Sequence, residues 1–334
     1  MKTSLTLFGI NHKTTPLNVR EKCSLTESEI RTELQRLNKI PFIKGCVILF
    51  TCNRTEYYLH CHPKPEPLSP AIFPPSHMFI DGASHHVYTK EDFAAVWHLF
   101  RVAAGLDSQM LGENEVLFQV KEAYRLSREM QCQGKELHKI FEHAFRIGRK
   151  VRRETALSRG NVSLASLVIK LLNKTCGLSG KKVMLIGINK VITQIAQYLA
   201  VHSIQTAFIG NRTFEKAVTL ARVLGGQAFH LDYLNDFMQE VDIIITATSA
   251  PHFIIRQEKV LSVLDKRIRP LYIIDLAVPR DVDPDVAHHP QVFLYNLDTL
   301  QPLVDTNIIS KQQEAQKAEL IVAAAAQEFA AQIF

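Results

Sequence analysis

The 334-residue chain has no Cys-x-x-Cys pair. Its six cysteines, at positions 23, 46, 52, 61, 132 and 176, are scattered, and the repeated spacing of a structural zinc site is missing even where Cys61 stands between His60 and His62. No metal is expected. Apolar runs are short, none approaching the roughly 20 residues that span a bilayer, so no membrane association is expected either. The opening MKTSLTLFGINHK lacks the long apolar core and small-residue cleavage site of a secretory signal. A cytoplasmic protein follows, and in that reducing compartment most of its thiols should behave as small hydrophobes.

What is present is ordinary in bulk: 46% hydrophobic and 22% charged residues fit a globular protein, and the length favours two domains over one. The net charge of +6 is placed unevenly. Between Lys121 and Arg159, eleven Lys and Arg face five Glu and no Asp, which accounts for the whole excess. Spread through RIGRKVRRE, such an excess suits a phosphate backbone better than a small substrate, although a solvated helix face carries the same pattern.

Residues 1–158 read as an α+β domain. A strand (SLTLFGI), a helix (SLTESEIRTELQRLN, N-capped by Ser24 or Thr26) and two strands (CVILF and EYYLHCH) open it. The proline-rich HPKPEPLSPAIFPP then reads as a surface loop. Apolar spacings of three and four follow, giving helices over Glu91–Ala104, Asn114–Gln131 and Lys135–Glu154. Residues 159–298, led by a helix over Asn161–Cys176, alternate short buried strands (KKVMLIG, TAFIG, VDIIITAT, LYIIDLA) with helices. That is the pattern of a Rossmann-like, doubly wound parallel sheet. Residues 299–334 hold QQEAQKAELIVAAAAQEFAAQIF, a long helix without a wide apolar stripe, expected to pack along another domain or subunit.

The phosphate-binding turn of such a sheet, GxGxxG, here reads Gly187-Ile188-Asn189-Lys190-Val191-Ile192, so two of its three glycines are missing. Asn189 tolerates the left-handed conformation, but its side chain takes space near the phosphates, and Ile192 demands a wider helix–strand spacing. At the next strand end stands Asn211-Arg212-Thr213, where NAD-binding domains place an acid. An arginine beside a hydroxyl, with no acid, favours the 2′-phosphate of NADP; the competing reading is that Thr213 only caps the following helix.

Cys52 closes the apolar strand within TCNRTE. Lone cysteines are mostly packing residues, but a strand terminus with Arg54 two positions on is a setting that draws a thiol's pKa toward neutrality and makes it a nucleophile. His98, on the helix AAVWHLFRVAA, is by type more often a satisfied core residue. The following GLDSQMLGENEVLFQ clusters Ser108, Glu113, Asn114, Glu115 and Gln119, which read equally as a polar pocket wall or as helix caps.

Taken together, TCNRTE, HLFRVAAGLDSQMLGENEVLFQVKEAY, NVSLAS, GNRT and IIDLAVPRDVDPDV, in this order, with the opening GINHKTTPLNVREK, resemble the glutamyl-tRNA reductase family over nearly the whole chain. The resemblance implies reduction of glutamyl-tRNA(Glu) by NADPH to glutamate-1-semialdehyde, the entry to tetrapyrrole biosynthesis. It makes Cys52 the nucleophile that forms a thioester and releases tRNA, and His98 the group that assists proton transfer. A thioester accepts hydride more readily than an oxygen ester, so covalent catalysis divides one hard step in two. By the same resemblance Thr51, Asn53, Arg54, Ser108, Glu113, Asn114, Glu115 and Gln119 line the glutamate pocket, with Arg54 facing a substrate carboxylate. Gly187, Ile188, Asn189, Lys190, Val191, Ile192, Asn211, Arg212 and Thr213 hold NADPH. The family also implies a homodimer built on helices of which residues 299–334 match only the beginning, and glutamate-1-semialdehyde aminomutase as a channelling partner. Two other functions compete: a non-catalytic tRNA-binding homologue with impaired NADPH binding, and an NADP-dependent dehydrogenase of a small metabolite, which leaves TCNRTE without a role.

Overall fold

The computed structural model describes residues 4–62, 84–158, 163–202, 204–264, 267–300 and 312–333. The proline-rich segment after His62, and the first two residues of the helix expected from Asn161, lie outside them. The chain divides into two compact units, Met1–Asn161 with Val304–Phe334, and Val162–Leu303.

In the first unit β1 (Ser4–Asn11), β2 (Ile43–Thr51), β3 (Arg54–Cys61) and β4 (Tyr88–Glu91) form an antiparallel sheet in the order β2-β3-β1-β4. The short β4 was not expected from the sequence. Helices α1 (Leu17–Arg20) and α2 (Glu27–Asn38) lie between β1 and β2, and α3 (Asp92–Ala104), α4 (Glu115–Glu129) and α5 (Lys135–Glu154) follow β4. Of the two candidate caps for α2, Thr26 serves. Its hydroxyl accepts from Glu29 N at 3.3 Å while the Glu29 carboxylate accepts from Thr26 N at 2.7 Å, a reciprocal capping box.

Both faces of this sheet are covered, which is why β1 and β3 are buried at every position. Leu5, Leu7, Val47, Leu49 and Tyr58 meet the α3, α4 and α5 side chains; Phe8, Ile10, Ile48, Tyr57 and Leu59 meet Ile30, Leu34 and Leu37 of α2. Strand alternation therefore puts Arg54, Glu56, Tyr58 and His60 on one inward face, where only mutual pairing makes burying the charges tolerable. The final helix α11 (Gln312–Ile333) packs on α3 and α5 through Ala318, Val322, Ala326 and Phe329. Arg101 pairs with Glu319 at 2.8 Å beside that seam. Expected to pack along another domain or subunit, the helix joins the core of the first unit through this small-residue stripe.

The second unit begins with α6 (Leu164–Thr175), N-capped by Ser163, whose hydroxyl accepts from Ser166 N at 3.1 Å. Six parallel strands follow: β5 (Lys182–Ile186), β6 (Thr206–Gly210), β7 (Gln227–Phe229), β8 (Ile243–Thr246), β9 (Leu271–Asp275) and β10 (Val292–Asn296). Between them lie α7 (Lys190–Leu199), α8 (Phe214–Leu224), α9 (Leu234–Met238) and α10 (Gln257–Leu264). The order β10-β9-β8-β5-β6-β7 is that of the doubly wound dinucleotide-binding sheet, with its reversal between β5 and β8. β7 and β10 escape the sequence reading because QAF is very short and VFLYN has no following helix pattern.

Candidate active site

The strands β2 and β3 are joined by the two-residue turn Cys52-Asn53, flanked by the paired Thr51 and Arg54. Thr51 builds this turn: its hydroxyl accepts from the backbone N–H of Asn53 at 3.1 Å and of Arg54 at 3.2 Å. Asn53 O accepts from His12 N at 2.9 Å and Cys52 O from Arg20 Nη1 at 3.1 Å, which fastens the turn to the segment after β1. Cys52 is half-buried, and the backbone around it is held on three sides.

Burial, then the Glu113 carboxylate, push the Cys52 thiol up to about 11, against the pull of the Arg20 and Arg54 guanidiniums. The thiolate-favouring setting expected from TCNRTE is thus corrected. The turn leaves strand alternation, and Arg54 spends its charge elsewhere. It is buried and donates from Nη1 to Glu56 Oε1 at 2.7 Å and to Asp107 Oδ2 at 3.2 Å, and from Nη2 to Asp107 O. Arg54, expected to face a substrate carboxylate, is held by Glu56 and Asp107 through these contacts.

Glu56 is the centre of this network. Its fully buried carboxylate accepts from Arg54, from Tyr58 Oη at 2.6 Å and from Tyr88 Oη at 2.6 Å, and lies 2.9 Å from His98 Nε2. Burial alone would raise the carboxyl; Arg54 and His98 more than reverse that and hold it well below the usual carboxylate range. His98 is itself buried, with the Tyr88 ring 5.6 Å away, so its ring is fixed by one carboxylate and one aromatic face.

Around the turn lie buried polar atoms without hydrogen-bond partners among the described residues: His12 Nδ1 and Asn53 Oδ1. Burial and the Arg54 and Lys13 cations hold His12 neutral, with a pKa lowered to about 4. Lys13 pairs with Asp107. Burial pushes the Glu113 carboxyl up, eased by Ser108 and Arg54. The site thus gathers groups of both signs: Lys13 and Arg54 paired with Asp107, and the Glu113 carboxyl, which acts on the Cys52 thiol.

The remaining predicted pocket residues are dispersed. Asn114 is exposed and its Oδ1 accepts from Arg152 Nε at 3.1 Å. Glu115 and Gln119 line a groove of about 220 Å³ with Ile48, Phe50 and Phe118. Arg152, counted in the sequence among the basic excess, donates to Ala103 O, Gly148 O and Glu113 O at 2.8 Å each, so it ties α3, α5 and the loop before α4 together. The reading from residue types missed His12, Lys13, Arg20, Glu56, Asp107 and Arg152 as functional. A signal existed: a strand reading R-x-E-x-Y-x-H puts polar groups at every second position of a buried element.

In the second unit Gly187 has φ +86, and a Cβ there would lie 2.5 Å from Ala247 O, so β5 and β8 approach through this glycine. Asn189 is extended, at φ −139 and ψ −175, not left-handed as its residue type allowed, and it caps α7. Ile192 is fully buried. Thr213 holds the N-cap position of α8 without a side-chain capping bond, so capping does not account for its hydroxyl. Arg212 is exposed and no acid accompanies Asn211-Arg212-Thr213.

The doubly wound, dinucleotide-type parallel sheet of the second unit marks a dehydrogenase-like protein. Residues 8–155 match the N-terminal domain of glutamyl-tRNAGlu reductase, and residues 170–303 match shikimate / quinate 5-dehydrogenase. Glutamyl-tRNA reductase of Carboxydothermus hydrogenoformans is 38% identical over 95% of this chain and 72% of its own length. That of Akkermansia muciniphila is 35% identical over 94% of each. The solved glutamyl-tRNA reductase from Methanopyrus kandleri is 31% identical, covering 97% of this chain and 79% of that one with a TM-score of 0.52. The chain belongs to the glutamyl-tRNA reductase family. Among the described residues no group of His, Cys, Asp and Glu could hold a metal, and no helix is long and apolar enough to cross a membrane.

Proposed function

We propose that the protein reduces glutamyl-tRNA(Glu) to glutamate-1-semialdehyde with NADPH through a thioester on Cys52. The observation that carries this reading is the Cys52-Asn53 turn, a thiol fixed among orphaned polar atoms and groups of both charges. Such a pocket suits the glutamyl moiety, which brings its own ammonium and carboxylate. Binding that ammonium near Glu113 would cancel the charge that, after burial, holds the thiol protonated.

The Cys52 sulfur attacks the ester carbonyl and loses its proton, the bond to the terminal ribose oxygen breaks, and tRNA leaves as the alcohol. NADPH, when bound, supplies hydride for the thioester carbonyl. Cys52 then releases the aldehyde from the resulting hemithioacetal and regains its proton. His98, oriented by Glu56, is the group we assign to proton transfer. Lysine and arginine side chains exposed on α4 and α5, Arg128, Lys135, Arg146, Arg149 and Lys150, make no ion pair among the described residues and supply the tRNA phosphate contacts.

The residues of the second unit fit NADPH. Gly187 gives a close-approach turn at the sheet's reversal, and Arg212 with Thr213 offers a cation and a hydroxyl where an acid would exclude a 2′-phosphate. The Gly187–Ile192 turn and Asn211–Thr213 would hold the cofactor. The reactive aldehyde product fits hand-over to an aminomutase, and the family's homodimer is part of the same proposal. Semialdehyde formation from purified protein, NADPH and glutamyl-tRNA tests the reading; reduction of small acids without tRNA would instead support a metabolite dehydrogenase.

A further inference from the structure

Strands β5 and β8 are neighbours where the parallel sheet reverses, and the crevice beyond their C-terminal ends is where an open α/β sheet takes its ligand. One side chain spans it. Asn189 Oδ1 accepts from Ile192 N at 3.0 Å, closing the first turn of α7, while its Nδ2 donates to Ala247 O, one residue past β8, at 3.0 Å. In a glycine turn the first-turn N–H groups of the helix face the diphosphate. Here one of these donors is already taken by a carboxamide that is also tied to the opposite wall.

That wall is held in turn. Asp281 accepts from Thr248 N at 2.8 Å and from the hydroxyls of Thr246 and Thr248. Ala247 lies between these two threonines, so moving it aside would disturb the Asp281 contacts. Gly187, packed on Ala247, leaves no slack on the other side. The least disruptive movement that opens the crevice is rotation of the Asn189 side chain alone.

We infer that Asn189 is a latch across the cofactor crevice: its carboxamide occupies the α7 N-terminus in place of the diphosphate, and NADPH seats its phosphates on α7 only by displacing it. The inference rests on the NADPH reading above. It goes beyond that reading in assigning cofactor affinity to the release of two specific hydrogen bonds. Asparagine at the second glycine position is therefore a tuned closure and not a loss of the site.

The test is direct titration of the full chain with NADPH, following nicotinamide fluorescence, for the wild type, Asn189→Gly and Asn189→Ser. Glycine is well tolerated at an N-cap, and serine still caps Ile192 N–H but is too short to reach Ala247. Two hydrogen bonds of ordinary net strength correspond to roughly a tenfold change or more, so Asn189→Gly should bind about tenfold tighter, with Asn189→Ser between. Unliganded Asn189→Gly should melt at a lower temperature. Equal dissociation constants in the three chains overturn the latch, and so does weaker binding by Asn189→Gly, which would make the carboxamide a cofactor ligand. No saturable binding by any of the three removes the NADPH reading itself, and the latch with it.

Discussion

His98 Nε2 stands 2.9 Å from Oε1 of Glu56, a carboxylate that also accepts from Arg54, Tyr58 and Tyr88. One buried anion therefore positions the histidine, the arginine beside the Cys52 turn, and two tyrosines. Replacing Glu56 with Gln leaves Arg54 without its closest charge partner. Breaking a buried pair in this way costs about 3–5 kcal/mol. We expect Glu56→Gln to lower the melting temperature and the turnover together. His98→Asn should fold normally and lose turnover by about 10²- to 10⁴-fold, the range of general acid–base assistance. Circular dichroism melts alongside steady-state rates check both, and wild-type turnover by His98→Asn would remove the histidine from the mechanism.

Alkylation of Cys52 should report its field. With the thiol pushed up to about 11 by burial and Glu113, iodoacetamide should react slowly at pH 8 and faster toward pH 10. Glu113→Gln removes an anion and should speed labelling at pH 8 several-fold; Arg20→Gln removes a cation and should slow it. Peptide mass spectrometry of Cys52 separates this from the other thiols. Unchanged labelling in Glu113→Gln would mean that burial alone sets the thiol.

Acid should act oppositely on the two units. In the first, the His12 pKa falls from 6.5 to about 4 on folding, so its contribution is present above 6.5 and lost as pH drops through 4. Glu56 and Asp107, both held low, lose theirs further down. In the second, burial chiefly and then Asp281 raise Asp275 from 3.8 to about 7, so the stability it confers is full below 3.8 and lost as pH rises through 7. Hydrogen exchange of β1–β3 peptides should quicken between pH 7 and 4.5, after correction for intrinsic rates, while that of β8–β9 peptides slows. Parallel responses would contradict this assignment of charge.

Arginines in one run should behave differently. Arg149→Ala and Lys150→Ala should weaken tRNA binding and each reduce the slope of log affinity against log salt by up to about 1. Arg152→Ala should leave that slope alone and instead lower stability and raise KM for glutamyl-tRNA, because Arg152 spans α3, α5 and the Glu113 backbone. Filter binding at several salt concentrations distinguishes the two; identical slopes in all three variants would remove α5 as the phosphate surface.

This last contrast shows where sequence reading stops. Periodicity placed the long helices and the buried parallel strands because apolar spacing survives in one dimension, and it missed β4, β7 and β10 because these are edge strands, mostly exposed or half-buried, without a buried apolar run. The motif around Cys52 was legible as a site. Its electrostatics were not: Arg54 looked like the thiol's partner by adjacency, yet Asp107, far along the chain, claims it. Arg152 read as surface charge because its internal carbonyl partners come from elements that meet only on folding. Asn189 was visible as a missing glycine, while its bond to Ala247 needed the crevice.

The central claim is a covalent glutamyl intermediate on Cys52. Glutamyl-tRNA labelled in the glutamate should be incubated with the protein in the absence of NADPH, quenched in acid, and the label mapped by peptide mass spectrometry. Glutamate is expected on the peptide containing Cys52, released as semialdehyde when NADPH is added before the quench, with no label in Cys52→Ser. Equal labelling of Cys52→Ser, or label on another cysteine, would contradict it.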